Sequence, residues 1–273
     1  MGVVSAEWLW AKISADRFPR DSLVVIDCRF DLSAPTAGKV AYTEGHIPQS
    51  HYLDLNQDLS GAVGMFGGRH PLPDLAILSE KLTRIGISRG ETTVVAYDDS
   101  RFAFAARLWW LLRYLGHERV ALLDGGWQRW RALGYPITAE VPPKASSSPA
   151  FVPQPRPNWV VDYETVRDRP DGTILIDSRE GDRYRGEREP IDPIAGHIPG
   201  AINYCWLDTT DGQGILRPDH GDRWSRLPTK NPPMVYCGSG VTACVNLLSL
   251  HLAGIDQAQL YAGSWSDWCA HLG

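Results

Sequence analysis

Short apolar runs of about four residues alternate along the chain with stretches of helical period. Val24-Val-Ile-Asp27, Val94-Val-Ala-Tyr97, Ile174-Leu-Ile-Asp177 and Met234-Val-Tyr236 read as buried strands. In the first half the helical period predicts helices over Leu75 to Gly86, Phe102 to Gly116 and Trp127 to Gly134, each stopped by a glycine. In the second half Val241, Cys244, Val245, Leu248 and Leu252 repeat at helical spacing and stop near Gly254. Strands alternating with helices predict parallel α/β domains, whose ligands meet the carboxyl ends of the strands. Asp27, Asp98, Asp177 and Cys237 all fall at such ends.

The pattern occurs twice. Val24-Val-Ile-Asp27-Cys-Arg29 returns as Ile174-Leu-Ile-Asp177-Ser-Arg179, and Glu44-Gly-His-Ile-Pro48 returns as Ala195-Gly-His-Ile-Pro199. Val94-Val-Ala-Tyr97-Asp98 returns as Met234-Val-Tyr236-Cys237, and Leu122-Leu-Asp-Gly-Gly-Trp127 as Leu260-Tyr-Ala-Gly-Ser-Trp265. Four matches in one order, at offsets of 138 to 151, make the chain a tandem duplication. Between the copies, Val141 to Pro157 carries six prolines and cannot sustain a helix or a central strand. The expected division is therefore a first domain over 1–140, an extended linker over 141–157 and a second domain over 158–273.

Composition narrows the function classes. The net charge of −5 argues against nucleic acid or an anionic membrane as partner, so any anion site is local. No apolar run approaches a membrane span, and the first residues lack the basic and apolar regions of a signal peptide. Five cysteines without CxxC spacing fit neither a disulfide scaffold nor a zinc cluster, and a reducing cytoplasm is the expected compartment.

One cysteine has a particular setting. Cys237 is followed by Gly238-Ser-Gly240-Val-Thr242 and then by the helical period. A strand, a tight glycine-rich turn and a helix start aim several backbone N–H groups at one point, which stabilises a thiolate. In the first copy the corresponding stretch is Asp98-Asp-Ser-Arg101, and a carboxylate in an amide cradle is no thiolate nucleophile. The first domain thus reads as chemically silent. A phosphatase is disfavoured because its Cys-x5-Arg pattern places an arginine where Ala243 stands, and phosphoryl transfer loses its main charge clamp.

Asp177-Ser-Arg179, Gly196-His-Ile-Pro-Gly-Ala201 and Cys237-Gly-Ser-Gly-Val-Thr-Ala243 resemble the two-domain rhodanese superfamily, most of all its 3-mercaptopyruvate sulfurtransferase branch. The resemblance covers both halves. It implies two rhodanese-like α/β domains, each a parallel sheet flanked by helices, with the second catalytic. By the same resemblance Cys237 takes the sulfane sulfur and the amides around Gly238, Gly240, Val241 and Thr242 hold the persulfide. Ser239 and His70 belong to a Ser-His-Asp relay that polarises the donor. At the aligned position of its aspartate this chain has Asn56, and Asp58 is the candidate carboxylate. Arg183 matches an arginine that binds the donor's carboxylate. The customary second arginine, nine residues on, is replaced by Asp192, and Arg188 is the candidate substitute.

The implied activity moves sulfur from 3-mercaptopyruvate to a thiol, cyanide or a thioredoxin-like acceptor, with neither metal nor organic cofactor. Gly238 and Ser239 give a neutral loop, better matched to that monoanion than to dianionic thiosulfate. Thiosulfate is the alternative donor, and a non-enzymatic persulfide carrier or binding protein the alternative class. Asp177, Arg179, His46 and His197 are expected to brace loops, Cys244 and the tryptophans to pack.

Overall fold

The computed structural model describes residues 2–15, 22–143, 149–227 and 230–273. The chain forms two compact units that are not contiguous in sequence. The first comprises Met1–Ser60, Pro73–Pro155 and Gly212–Leu216; the second comprises Gly61–Leu72, Arg156–Asp211 and Arg217–Gly273. Each half of the sequence therefore contributes one short segment to the other unit, which the contiguous division expected from sequence does not contain.

In the first unit the described strands are β1 (Val3–Val4), β2 (Leu23–Asp27), β3 (Ser50–Tyr52), β4 (Thr93–Tyr97) and β5 (Val120–Leu123). They pair in parallel in the order β1-β5-β4-β2-β3. The helices are α1 (Ala6–Ile13), α2 (Ala37–Glu44), α3 (Leu75–Arg84), α4 (Ala105–Tyr114) and α5 (Gly126–Ala132). A parallel sheet covered on both faces needs continuous apolar strands, and Val94 to Tyr97 are wholly buried. Val4, Leu9, Val25, Val95, Leu123 and Trp130 form one side of this core. The glycines expected to stop helices do so: Gly86, Gly116 and Gly134 adopt φ of +88°, +81° and +69°, a left-handed cap that other residues resist.

The second unit repeats the plan. Strands β6 (Val160–Val161), β7 (Leu175–Asp177), β8 (Ile202–Asn203), β9 (Met234–Tyr236) and β10 (Gln259–Tyr261) pair in parallel in the order β6-β10-β9-β7-β8. Helices α6 (Tyr163–Arg167), α7 (Gly181–Arg185), α8 (His220–Trp224), α9 (Ala243–Leu252) and α10 (Ser264–Leu272) surround them. Val161, Ile198, Met234, Tyr236, Trp265 and Trp268 pack together on one side.

The proline-rich stretch departs from expectation. Its residues 144–148 lie outside the described residues. Beyond them the chain is not a free linker: Phe151 is buried and its N–H donates to Thr83 Oγ1, while the Gln154 N–H donates to the Leu115 carbonyl. One buried phenyl ring and two backbone bonds are enough to tie 149–155 to the first unit.

Candidate active site

The site is built where β9 ends. Its strand carries Cys237 to the carboxyl edge of the sheet, and the chain then turns into α9. The turn is fixed from the 263–266 corner: Trp265 N–H donates to the Cys237 carbonyl at 3.0 Å and Ser266 N–H to the Gly238 carbonyl at 2.9 Å. Cys237 N–H in turn donates to Ser264 Oγ at 3.1 Å. Gly240 has φ +76° and lies against Ala262, so a β-carbon there would collide with the Ala262 carbonyl.

With these carbonyls turned away, the amides of the turn are left over. Among the described residues none accepts a hydrogen bond from the N–H groups of Gly238, Ser239, Val241, Thr242 or Ala243. All but Thr242 are buried, and Cys237 itself is 2% exposed. Buried amides without acceptors are rare, and several in succession at a helix start make a receptor for an anion. The turn suits a sulfur anion on Cys237.

Segment 61–72 lies in the same unit. Gly61 N–H donates to the Pro71 carbonyl and closes the segment into a loop. Gly67 N–H donates to Asp267 Oδ1 at 2.7 Å, Arg69 N–H to Ser266 Oγ at 3.2 Å, and Phe66 stacks on His271. Gly68, at φ +77°, passes so close to the Gly263 carbonyl that no side chain fits. The loop thereby presents buried His70 with Nδ1 2.8 Å from Ser239 Oγ.

Two arginines converge on the same turn. The space a β-carbon on Gly238 would occupy lies 3.1 Å from Arg69 Nη2 and 3.6 Å from both Arg183 Nη atoms. Arg183, on α7, pairs with Glu189 at 2.6 Å and with Asp192 at 3.3 Å, and Arg69 pairs with the other oxygen of Asp192. Burial pushes the Arg69 guanidinium down from its usual value, and the neighbouring Cys237 sulfur opposes that.

Residues 5–133 and 162–271 both match the rhodanese-like domain. The chain belongs to the rhodanese family. It is 45% identical to a "Probable 3-mercaptopyruvate sulfurtransferase" of Pseudomonas aeruginosa, over 97% of this chain and 95% of that one. It is 30% identical to a thiosulfate sulfurtransferase of Mus musculus, over 97% and 91%. Among solved structures, the 3-mercaptopyruvate sulfotransferase SseA from Escherichia coli superposes with a TM-score of 0.79 at 28% identity, covering 97% of this chain and 98% of that one.

Within the second rhodanese domain the repeated motif residues hold the frame. Arg179 grips Asp177 through two nitrogens, donates to the Gly196 carbonyl and lies over the Trp265 ring at 4.9 Å. Arg29 does the same with Asp27, Gly45 and Trp127 in the first domain. Tyr97 donates to Asp27 at 2.8 Å, and burial pushes its phenol well up so that it stays neutral. His46 and His197 each place Nδ1 2.7 Å from a tyrosine-region carbonyl, those of Tyr42 and Tyr184. Cys244 is buried in α9 with its sulfur toward the Gly240 carbonyl.

The remaining candidates are placed differently. Arg188 is 49% exposed and turns to Asp182, so it does not stand beside Arg183 at the turn; Glu187 is solvated with Arg185, whereas Glu189 is buried against Arg179 and Arg183. The group beside Arg183 over Gly238 is Arg69, which no motif singles out beyond its place between Gly68 and His70. Asp58 belongs to the first unit, where its carboxylate accepts from the Asp54 N–H at 2.8 Å and pairs with Lys81. Asn56 is exposed and donates its N–H to Asp54.

The first domain has no thiol at the matching strand end. Asp98 follows β4, and its carboxylate accepts from the N–H groups of Ser100, Phe102, Phe104 and Ala105 at 2.8 to 3.1 Å. Burial pushes this carboxyl up from the usual carboxylate range, and the amides oppose that. Cys28, at the end of β2, is buried beside Asp27 and Asp98, which push its thiol well up with burial as the larger cause.

Proposed function

We propose that this rhodanese-family chain is a sulfurtransferase that takes sulfur from 3-mercaptopyruvate through a Cys237 persulfide. The observation that carries the reading is the buried Cys237 turn, with five amides that have no acceptor among the described residues and His70 at hydrogen-bond distance from Ser239. The Cys237 thiolate attacks the donor's thiol sulfur, and the carbon–sulfur bond breaks with its electron pair passing to carbon. Pyruvate leaves as its enolate and collects the proton of the donor thiol, so that a cysteine persulfide anion remains. No outside oxidant is needed, because the carbon is reduced as the sulfur is oxidised.

The side chains present divide this work. The amides of 238, 239 and 241 to 243 stabilise the charge on the terminal sulfur. With Nδ1 protonated, His70 donates to Ser239 Oγ, and the serine hydroxyl is free to donate to the donor's carbonyl as it becomes an enolate oxygen. Arg183 takes the donor carboxylate. A thiol, cyanide or a thioredoxin-like protein then accepts the sulfur and returns the thiolate. A thiosulfate donor is the second reading, favoured by the two guanidinium groups beside Gly238.

The test is kcat/KM with 3-mercaptopyruvate and with thiosulfate, cyanide being the common acceptor. We expect the first to be preferred, and Cys237→Ser to lower both by about 10,000-fold or more. Preference for thiosulfate would replace the donor. Inertness toward both would leave persulfide carriage or binding.

A further inference from the structure

We infer that Asp192 is a specificity-determining residue: its buried carboxylate cancels the last positive charge at the turn, so that the site admits a monoanionic sulfur donor and rejects a dianionic one. The inference rests on the proposed 3-mercaptopyruvate donor and adds the residue that selects it.

A chain of ion pairs carries it. Asp177 pairs with Arg179 at 2.6 Å and Arg179 with Glu189 at 3.1 Å; Glu189 pairs with Arg183 at 2.6 Å and Arg183 with Asp192 at 3.3 Å. The other oxygen of Asp192 pairs with Arg69, which ends the chain. Three carboxylates thus alternate with three arginines, and among the described residues no ion pair leads out of the set. Its net charge is zero before the Cys237 thiolate is counted. The Arg69 side chain is 32% exposed and that of Asp192 only 2%, so the acid lies behind the cation. Without Asp192 the turn would hold one positive charge in excess. That excess would stand beside the nucleophile, because Arg69 Nη2 and both Arg183 Nη atoms converge on Gly238.

Charge arithmetic decides what this does. A guanidinium matched by a carboxylate still donates hydrogen bonds to a ligand, but the pair offers no net charge. A monoanion is served by the hydrogen bonds. A dianion such as thiosulfate brings a second charge, which gives up water and meets a buried carboxylate in return. Placing a like charge against the wrong ligand is a way to discriminate without new contacts to the right one. One unit of charge acts once on a monoanion and twice on a dianion, so Asp192 shifts the choice even where it touches neither.

The experiment reads the ratio of kcat/KM with thiosulfate to that with 3-mercaptopyruvate, cyanide being the acceptor, in wild type, Asp192→Asn and Asp192→Glu. Asp192→Asn keeps the size and one acceptor oxygen but removes the charge. It should raise the ratio about tenfold, the size of one screened charge interaction. Asp192→Glu keeps the charge and should leave the ratio within about threefold of wild type. An unchanged or lower ratio in Asp192→Asn, or an equal rise in Asp192→Glu, would overturn the inference, since a residue that only braces Arg69 cannot count the donor's charges. A second measurement needs no substitution. In wild type, salt raised from about 0.02 to 0.5 M should lower the thiosulfate rate no more than the 3-mercaptopyruvate rate, because a neutral set has no net charge to screen. A steeper fall with thiosulfate would reveal an uncancelled positive site and overturn the inference. If wild type prefers thiosulfate or uses neither donor, the donor assignment falls and Asp192 is judged by binding alone. Sulfate and pyruvate are then titrated by calorimetry into Cys237→Ser and Cys237→Ser/Asp192→Asn. A gain of about tenfold in sulfate over pyruvate affinity upholds the role of Asp192, and an unchanged ratio overturns it.

Discussion

The turns after β4 and β9 start from the same backbone plan and end in opposite chemical states. Each follows a tyrosine at the end of a buried parallel strand, and each is tied to a tryptophan-bearing corner. Trp127 N–H donates to the Asp98 carbonyl at 2.8 Å, as Trp265 N–H does to Cys237. In the first domain the anion is built in: the Asp98 carboxylate fills its own ring of amides. In the second, no described residue accepts from the amides that follow Cys237, and in the proposed mechanism the persulfide sulfur fills them. A fold able to stabilise an anion can spend that ability on stability or keep it for chemistry. The two domains show one choice each.

The sharpest way to break the comparison is to empty the filled ring. Asp98→Ala strands four amide donors in a buried turn and should lower unfolding free energy by about 3 kcal/mol, seen as a lower urea midpoint. Sulfate should restore part of the loss if the vacated amides behave as those of the other turn do. An unchanged midpoint would show that the carboxylate adds nothing to the turn. Asp98 does not touch the transferred sulfur in the proposed mechanism, so the variant that remains folded should keep its activity.

Much of this was readable in the chain. The repeat, the α/β alternation and the helix-stopping glycines are local properties, and the described elements follow them closely. The substitution of Asp98 for a nucleophile was legible because the two copies could be laid side by side. Strands of two residues, such as β1 and β8, give no periodic signal and depend on pairing with longer neighbours. Segment 61–72 was harder, because Gly67-Gly68 reads as an ordinary turn. Only the contacts with Gly263, Ser266 and Asp267 show why side chains are excluded there. Arg69 was invisible for the same reason: a lone arginine declares a role only once Asp192, 123 residues away, is seen to hold it.

Backbone strain offers a smaller lever on the same comparison. In the first turn Arg101 and Phe102 carry side chains at φ of +60° and +72°, so that turn has room for them. In the second, Gly240 sits at +76° with the Ala262 carbonyl against it. Gly240→Ala should cost about 2 kcal/mol, from the unfavourable φ and the shift of the 262–266 corner needed to admit a methyl group. Because that corner holds the Cys237 and Gly238 carbonyls, kcat/KM should fall with stability. A variant as stable and as active as wild type would show that the amide geometry does not depend on this contact.

The smallest effect tests the vacancy itself. If the amides after Cys237 wait for an anion, loading sulfur onto the cysteine should stabilise the second domain as Asp98 stabilises the first. The protein is treated with donor and freed of excess, then compared in thermal unfolding with the same protein discharged by cyanide. The persulfide form should melt about 2 to 4 °C higher, corresponding to roughly 1 kcal/mol. Cys237→Ser carried through both treatments should show no difference, which separates the sulfur on Cys237 from modification of the other four cysteines. Equal melting of the two wild-type forms would mean that the turn does not gather its amides around the terminal sulfur. The persulfide would then be held by Arg69 and Arg183 instead, and the two domains would differ in more than the residue at one strand end.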